Sequence, residues 1–348
     1  MESRRKFLRN SGVLALGGLF LQRTGLGANP ALRDFNTDIG IAGKFNFEIS
    51  LAEFSFAGQL MSGKMSNMDF PARAKNEFGI NVLEYVSGFF NEKHKDSTYI
   101  KELKKRCDDL GMKNHLIMVD GANIADLDPA KRKQAVESHY AWVDAAKFLG
   151  CSSIRVNLGD TSKAITGVVD DPPGEAAMAA AEGYRMLLEY AAKQNMNVIV
   201  ENHFGNSTDI DWLVGVIKTV NMSNAGLLPD LGNFCRQRST PETNDLKGML
   251  STKCLQEYDR YEGVRKMMPY AKGISAKSHK FDADGNETEI DYFKIFSIIK
   301  EAGFTGYVGI EYEGGLYNLY DPSSGYMSDN DGIKATKALL ERVREELA

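Results

Sequence analysis

Residues 197–233 read NVIVENHFGNSTDIDWLVGVIKTVNMSNAGLLPDLGN. The opening stretch holds three consecutive β-branched side chains, Val198, Ile199 and Val200, which favour an extended strand. Apolar residues then recur at helical spacing over 212–219, and a second short apolar run follows at 226–228. Two strands joined through a helix lie parallel, so this stretch reads as one β-α-β unit. Each strand runs straight into a carboxylate, Glu201 after the first and Asp230 after the second.

The same alternation continues on both sides. Further strands are expected at 45–54, 81–86, 113–119, 153–158, 273–278 and 306–311. Helices are expected at 70–78, 99–110, 130–149, 175–194, 261–268, 292–302 and 332–347. Gly79, Gly111, Gly150 and Gly303 follow helical runs, where a left-handed residue closes the last turn. Eight strand–helix repeats let a parallel sheet close, which predicts a single-domain α/β fold, a (β/α)8 barrel over residues 45–348. The competing open, doubly wound sheet lacks its mark, because no G-x-G-x-x-G follows the first strand. No phosphate-cradling G-x-x-x-x-G-K-[ST] occurs either.

The first residues read as an address. Arg4, Arg5 and Lys6 precede an apolar run at 12–21, and small residues follow. The run is shorter than the ~20 residues of a membrane span, so no stable membrane insertion is expected. An Arg pair followed by Phe7 and Leu8 resembles the twin-arginine export signal, which places the mature protein in the periplasm. Residues 1–28 are assigned to that signal peptide and 29–44 to a lead-in. The whole chain has a net charge of -5; removing 1–28 leaves 37 basic and 46 acidic residues, a net charge of -9. An acidic exported chain has no electrostatic reason to bind nucleic acid. Its four cysteines form no C-x-x-C pair, which argues against a structural zinc site.

Chemistry in a barrel sits where the strands end. The fifth strand ends V-E-N-H (200–203), the sixth P-D-L-G-N (229–233), the seventh runs into S-H-K-F-D-A-D-G (278–285), and the eighth gives G-I-E-Y-E (309–313). Unpaired buried charge is expensive, so an acid or an imidazole at each of four consecutive strand ends points to a shared function. These motifs resemble the xylose-isomerase-like TIM-barrel superfamily of sugar isomerases and epimerases, over roughly residues 45 to 347. The resemblance implies a metal set of Glu201, Asp230, His279 and Glu311, with Glu201 and Glu311 as catalytic acid–base groups. It implies a divalent cation, with Mn2+ or Mg2+ favoured by hard oxygen ligands and Zn2+ or Co2+ also compatible. Two departures stand out: Asn233 replaces a histidine of the epimerases, and Lys277 shares a strand face with His279. A register anchored on D-A-D-G would put Lys277 at the metal-histidine position; the spacing of His279 to the acid three residues on favours His279.

Glu84, Arg155, Asn157, His203, Asn233 and Lys277 complete the expected substrate contacts. Arg155 and Asn157 alternate with Ile154 and Val156 and so face one side. The reading is a metal-dependent isomerase or epimerase acting on a polyhydroxy carbonyl compound by enediolate proton transfer. A keto-glycoside lyase using the same enolate, and a carbohydrate-binding barrel with a degraded site, are the alternatives. The partner is a small carbohydrate, and relatives of this kind often form homo-oligomers. An apurinic-site endonuclease, which builds a metal cluster from many histidines, fits poorly with five His in the chain.

Overall fold

The structure, a computed structural model, describes residues 45–159, 174–243, 246–321 and 323–348. The signal-peptide and lead-in expectations, 1–28 and 29–44, lie outside the described residues. Eight parallel strands build the sheet: β1 (Glu48–Ala52), β2 (Val82–Val86), β3 (Lys113–Val119), β4 (Ser153–Val156), β5 (Asn197–Glu201), β6 (Ala225–Leu228), β9 (Ile274–Ser278) and β10 (Tyr307–Tyr312). Their order is β6-β5-β4-β3-β2-β1-β10-β9. The two ends of the sheet meet through isolated parallel bridges, Leu227 with Ala271 and Asp230 with Ser275. Pro229 explains the broken ladder, since it has no N–H; its carbonyl still accepts from Ser275 N at 2.9 Å.

Helices fill the crossovers: α2 (Phe70–Phe78), α3 (Ser97–Asp109), α4 (Pro129–Leu149), α5 (Glu175–Ala192), α6 (Ile210–Val220), α8 (Arg260–Met267), α9 (Tyr292–Glu301) and α11 (Asp329–Glu346). Side chains of Asp96, Asp128, Asp209, Asp259 and Asp291 cap five of them by accepting from first-turn N–H groups. The four glycines expected after helices all have positive φ, between 63° and 85°. Shorter helices α1 (Ala57–Met61), α7 (Leu246–Leu250) and α10 (Gly314–Tyr320) are additions to the expected set.

The core has two layers. A large cluster of Leu, Ile, Val and aromatic residues lies between strands and helices. A small one inside the barrel holds Ala52, Val86, Leu116, Met118, Ile199 and Leu228. The inner layer is small because other inward positions carry polar side chains, among them Arg155, Glu201, Ser275, Lys277 and Glu311, all at most 5% exposed.

One insertion departs from the repeat. After β6 the chain forms a two-stranded antiparallel hairpin, β7 (Cys235–Arg238) and β8 (Cys254–Glu257). A Cys235–Cys254 disulfide ties it, with Cα atoms 5.7 Å apart. No helix among the described residues is long and apolar enough to cross a membrane.

Candidate active site

Glu201 closes β5, Asp230 follows β6 and Glu311 lies in β10, so strand ends converge three acids. One oxygen from each lies within 4.8 Å of the others, and all three residues are buried. Three such carboxylates could hold a metal ion. Asp230 Oδ1 accepts from the backbone N–H of Gly232 (2.8 Å) and Asn233 (2.9 Å), which fixes its orientation. Ser275 Oγ lies 2.8 Å from both Asp230 Oδ2 and Glu311 Oε2.

The fourth position departs from the expected metal set. β9 pairs with β10 so that Lys277 stands opposite Glu311. Lys277 Nζ is 3.6 Å from Asp230 Oδ2 and 3.6 Å from Glu311 Oε2. It donates to Glu313 Oε1 at 2.9 Å and to Asn233 Oδ1 at 3.2 Å. His279, the expected ligand, is one residue past the end of β9 and its Nε2 sits 3.3 Å from Glu313 Oε2. The strand ends at Ser278, so Lys277 is the second inward side chain of β9 and His279 begins the loop; the group of possible ligands that lie together among the described residues is Glu201, Asp230 and Glu311. A divalent cation therefore meets three suitable oxygens and, instead of a fourth lone pair, an ammonium. The residues present do not fit the four-donor set.

Arg155 is the second buried cation. Its Nη1 bonds Asp120 Oδ1 at 2.5 Å, and its Nε lies 2.8 Å from Glu201 Oε2. The latter is a close ion contact without hydrogen-bond alignment, and both atoms are otherwise unpartnered among the described residues. Asn157 donates to Asp120 Oδ1 (2.9 Å), which orients its amide; its Oδ1 then accepts from His203 Nδ1 (3.1 Å). That leaves the His203 Nε2 lone pair free to accept from a ligand hydroxyl. Asn233 Nδ2 donates to Glu201 Oε1 at 3.1 Å.

Burial raises the Glu201 carboxyl to about 7, with Arg155 pulling the other way. Burial also raises Glu311 well above the usual carboxylate range, against the pull of Lys277. Burial alone would raise Glu313 as well, but Lys277 and His279 outweigh it and hold that carboxyl low. Lys277 is itself held above its ordinary value, because Asp230, Glu313 and Glu311 overcome the cost of burying it.

A cavity of about 710 Å³ opens over these residues. Arg155, His203, Asn233, Lys277, His279 and Glu311 are on its wall. Of the other expected site residues, Glu201 and Asp230 are buried beside the wall residues Arg155 and Lys277, and Asn157 bonds two wall residues, Asp120 and His203. Glu84 is elsewhere in the barrel, accepting from Ser50 Oγ at 2.6 Å, so the structure does not bring it to the cavity. Asp120, Ser275 and Glu313 are site residues that the sequence reading assigned no role. Asp120 directly follows a strand, the same signal that picked out Asp230; Ser275 reads as ordinary sheet filler. The hairpin supplies Cys235, Arg238, Cys254 and Glu257 to the outer wall.

Similar folds carry related names. A magnesium complex of a xylose isomerase-like TIM barrel protein from Mycobacterium smegmatis is 19% identical, with a TM-score of 0.60, covering 87% of this chain and 98% of that one. The IOLI protein with a bound zinc atom is 14% identical (TM-score 0.62; 87% and 99% covered). D-allulose 3-epimerase from Methylomonas sp. is 14% identical (TM-score 0.60; 86% and 98% covered). No curated protein matches the sequence. The family model described as Xylose isomerase-like TIM barrel matches residues 72–342, most of the chain, and this protein belongs to that family.

Proposed function

We propose that this chain is a carbohydrate isomerase or epimerase that moves a proton at the carbon beside a carbonyl. The observation that carries the reading is geometric: Glu201, Asp230 and Glu311 each bring one carboxyl oxygen within 4.8 Å of the others at the strand ends, with Glu311 on the cavity wall. Glu201 acts as base, with the Arg155 guanidinium 2.8 Å away favouring its ionised form, and Glu311, which burial raises well above the usual carboxylate range, acts as acid. The base takes the carbon-bound proton, and the electron pair moves to the carbonyl oxygen to form an enediolate. The acid returns a proton to the opposite face in epimerisation, and the original carbonyl re-forms; in isomerisation it protonates the adjacent carbon while the neighbouring hydroxyl's proton passes to the former carbonyl oxygen, and the carbonyl forms at the neighbouring carbon. His203 Nε2 and Asn233 bind substrate hydroxyls. Family membership and the epimerase among the similar folds support this chemistry.

The test follows free ketoses, aldoses and their acids in D2O by NMR. Deuterium appearing beside the carbonyl with the skeleton retained is the expected outcome. Exchange with loss of an aglycone identifies a lyase instead, and a panel bound without exchange identifies a binding protein.

The compartment is also proposed: Arg4 and Arg5 before the apolar run direct the chain out of the cytoplasm. The Cys235–Cys254 disulfide supports this, since such bonds persist in oxidising compartments. Mass spectrometry of the native protein checks it, and an uncleaved N-terminus in the cytoplasmic fraction overturns it.

A further inference from the structure

We propose that Lys277 is the resident cation of the acid cluster, taking the place of a divalent metal and presenting its ammonium to the substrate oxygen on which negative charge develops. Three observations carry this. Nζ stands 3.6 Å from Asp230 and Glu311 and 2.9 Å from Glu313, so it already neutralises the oxygens a metal would use. Lys277 is 4% exposed yet forms part of the cavity wall, so its ammonium can meet a ligand there. The chain also makes room for it: a Cβ on Gly232 would lie 2.9 Å from Lys277 Cδ, and only a glycine lets the stem pass at that height.

The donor arithmetic agrees. An ammonium has three N–H groups, and Asn233 and Glu313 accept two of them. The remaining one is available to an enediolate oxygen, which a fixed positive charge in a water-poor site stabilises strongly. A metal bound to the same three carboxylates would face this ammonium at close range, with no lone pair offered in return. The catalytic part of the proposal rests on the isomerase reading; the occupancy part does not.

The experiment has two arms. In the first, chelator-treated full-length mature protein is titrated calorimetrically with Mg2+, Mn2+, Zn2+ and Co2+, and its metal content is measured. Wild type is expected to take up no stoichiometric metal, while Lys277→His, which restores a lone pair, gains one equivalent. Tight uptake of one equivalent by wild type overturns the proposal, whatever the activity proves to be. In the second arm, deuterium exchange is followed with chelator present. Wild type is expected to retain its rate, and Lys277→Met to lose at least about 100-fold. A wild-type rate abolished by chelator and restored by metal overturns the proposal. If no sugar exchanges at all, the isomerase reading fails, and the first arm still decides what occupies the cluster. That arm needs only wild type, so a poorly folding variant does not block it.

Discussion

The barrel buries two sets of carboxyl groups, and they are treated in opposite ways. Glu201, Asp230, Glu311 and Glu313 sit among Arg155 and Lys277 at the cavity. Glu53 and Glu84, both fully buried, have no ion pair among the described residues: Asn67 Nδ2 and Val86 N donate to Glu53, and Ser50 donates to Glu84. Burial raises Glu53 to about 8 and Glu84 to about 7. Glu84 also packs so close to β10 that a Cβ on Gly309 would lie 2.4 Å from its Oε2. The acids at the cavity have cations beside them, whereas Glu53 and Glu84 rely on hydrogen bonds alone and serve the packing.

The largest expected effect separates the two sets by rate. Glu201→Gln and Glu311→Gln should each lower turnover by about 10²–10⁴-fold, while Glu84→Gln changes it only a few-fold. Deuterium exchange measures this, and equal losses in both sets would erase the distinction. Next comes stability: Lys277→Met leaves buried acids without their counter-charge and should cost about 3–5 kcal/mol in denaturant unfolding. Glu84→Gln, which keeps the acceptor for Ser50, should cost less than about 1 kcal/mol.

The legible part of the fold is the part with local signals. All eight barrel strands fall where β-branched runs and helix-ending glycines place them. The hairpin was missed because CRQR and CLQE lack alternating apolar residues; a covalent bond holds it, and its cysteines are 19 residues apart. The acids Glu201, Asp230 and Glu311 were legible because a charge after an apolar run has no packing role. The choice between Lys277 and His279 was not, because period-two alternation gives both the same face. The pairing of β9 with β10 sets Lys277 opposite Glu311 and leaves His279 just past the strand.

A pH series gives a smaller effect. Glu53 and Glu84 have folded-state values above the usual carboxylate value of 4.5, so their stabilisation is complete below 4.5. It is lost as pH rises through about 7 and 8, at no more than about 1.4 kcal/mol per pH unit for each group. Unfolding free energy should therefore fall from pH 5 to 8, and Glu53→Gln should flatten the slope. The smallest effect concerns the hairpin: Cys254→Ser loosens one wall of the cavity and should raise KM by about 2–5-fold, with kcat changed less, if that wall contributes mainly uniform binding.

Ser275 carries a consequence of its own. A hydroxyl owns a single hydrogen, yet its oxygen lies 2.8 Å from a carboxyl oxygen on either side. If it donates to Asp230, then Glu311 must bring the other hydrogen and donate to Ser275. With both contacts made as hydrogen bonds, Ser275 ties the Glu311 and Asp230 carboxyls into one row that shares two hydrogens. Replacing Ser275 with alanine removes the oxygen between them and leaves both acids in place.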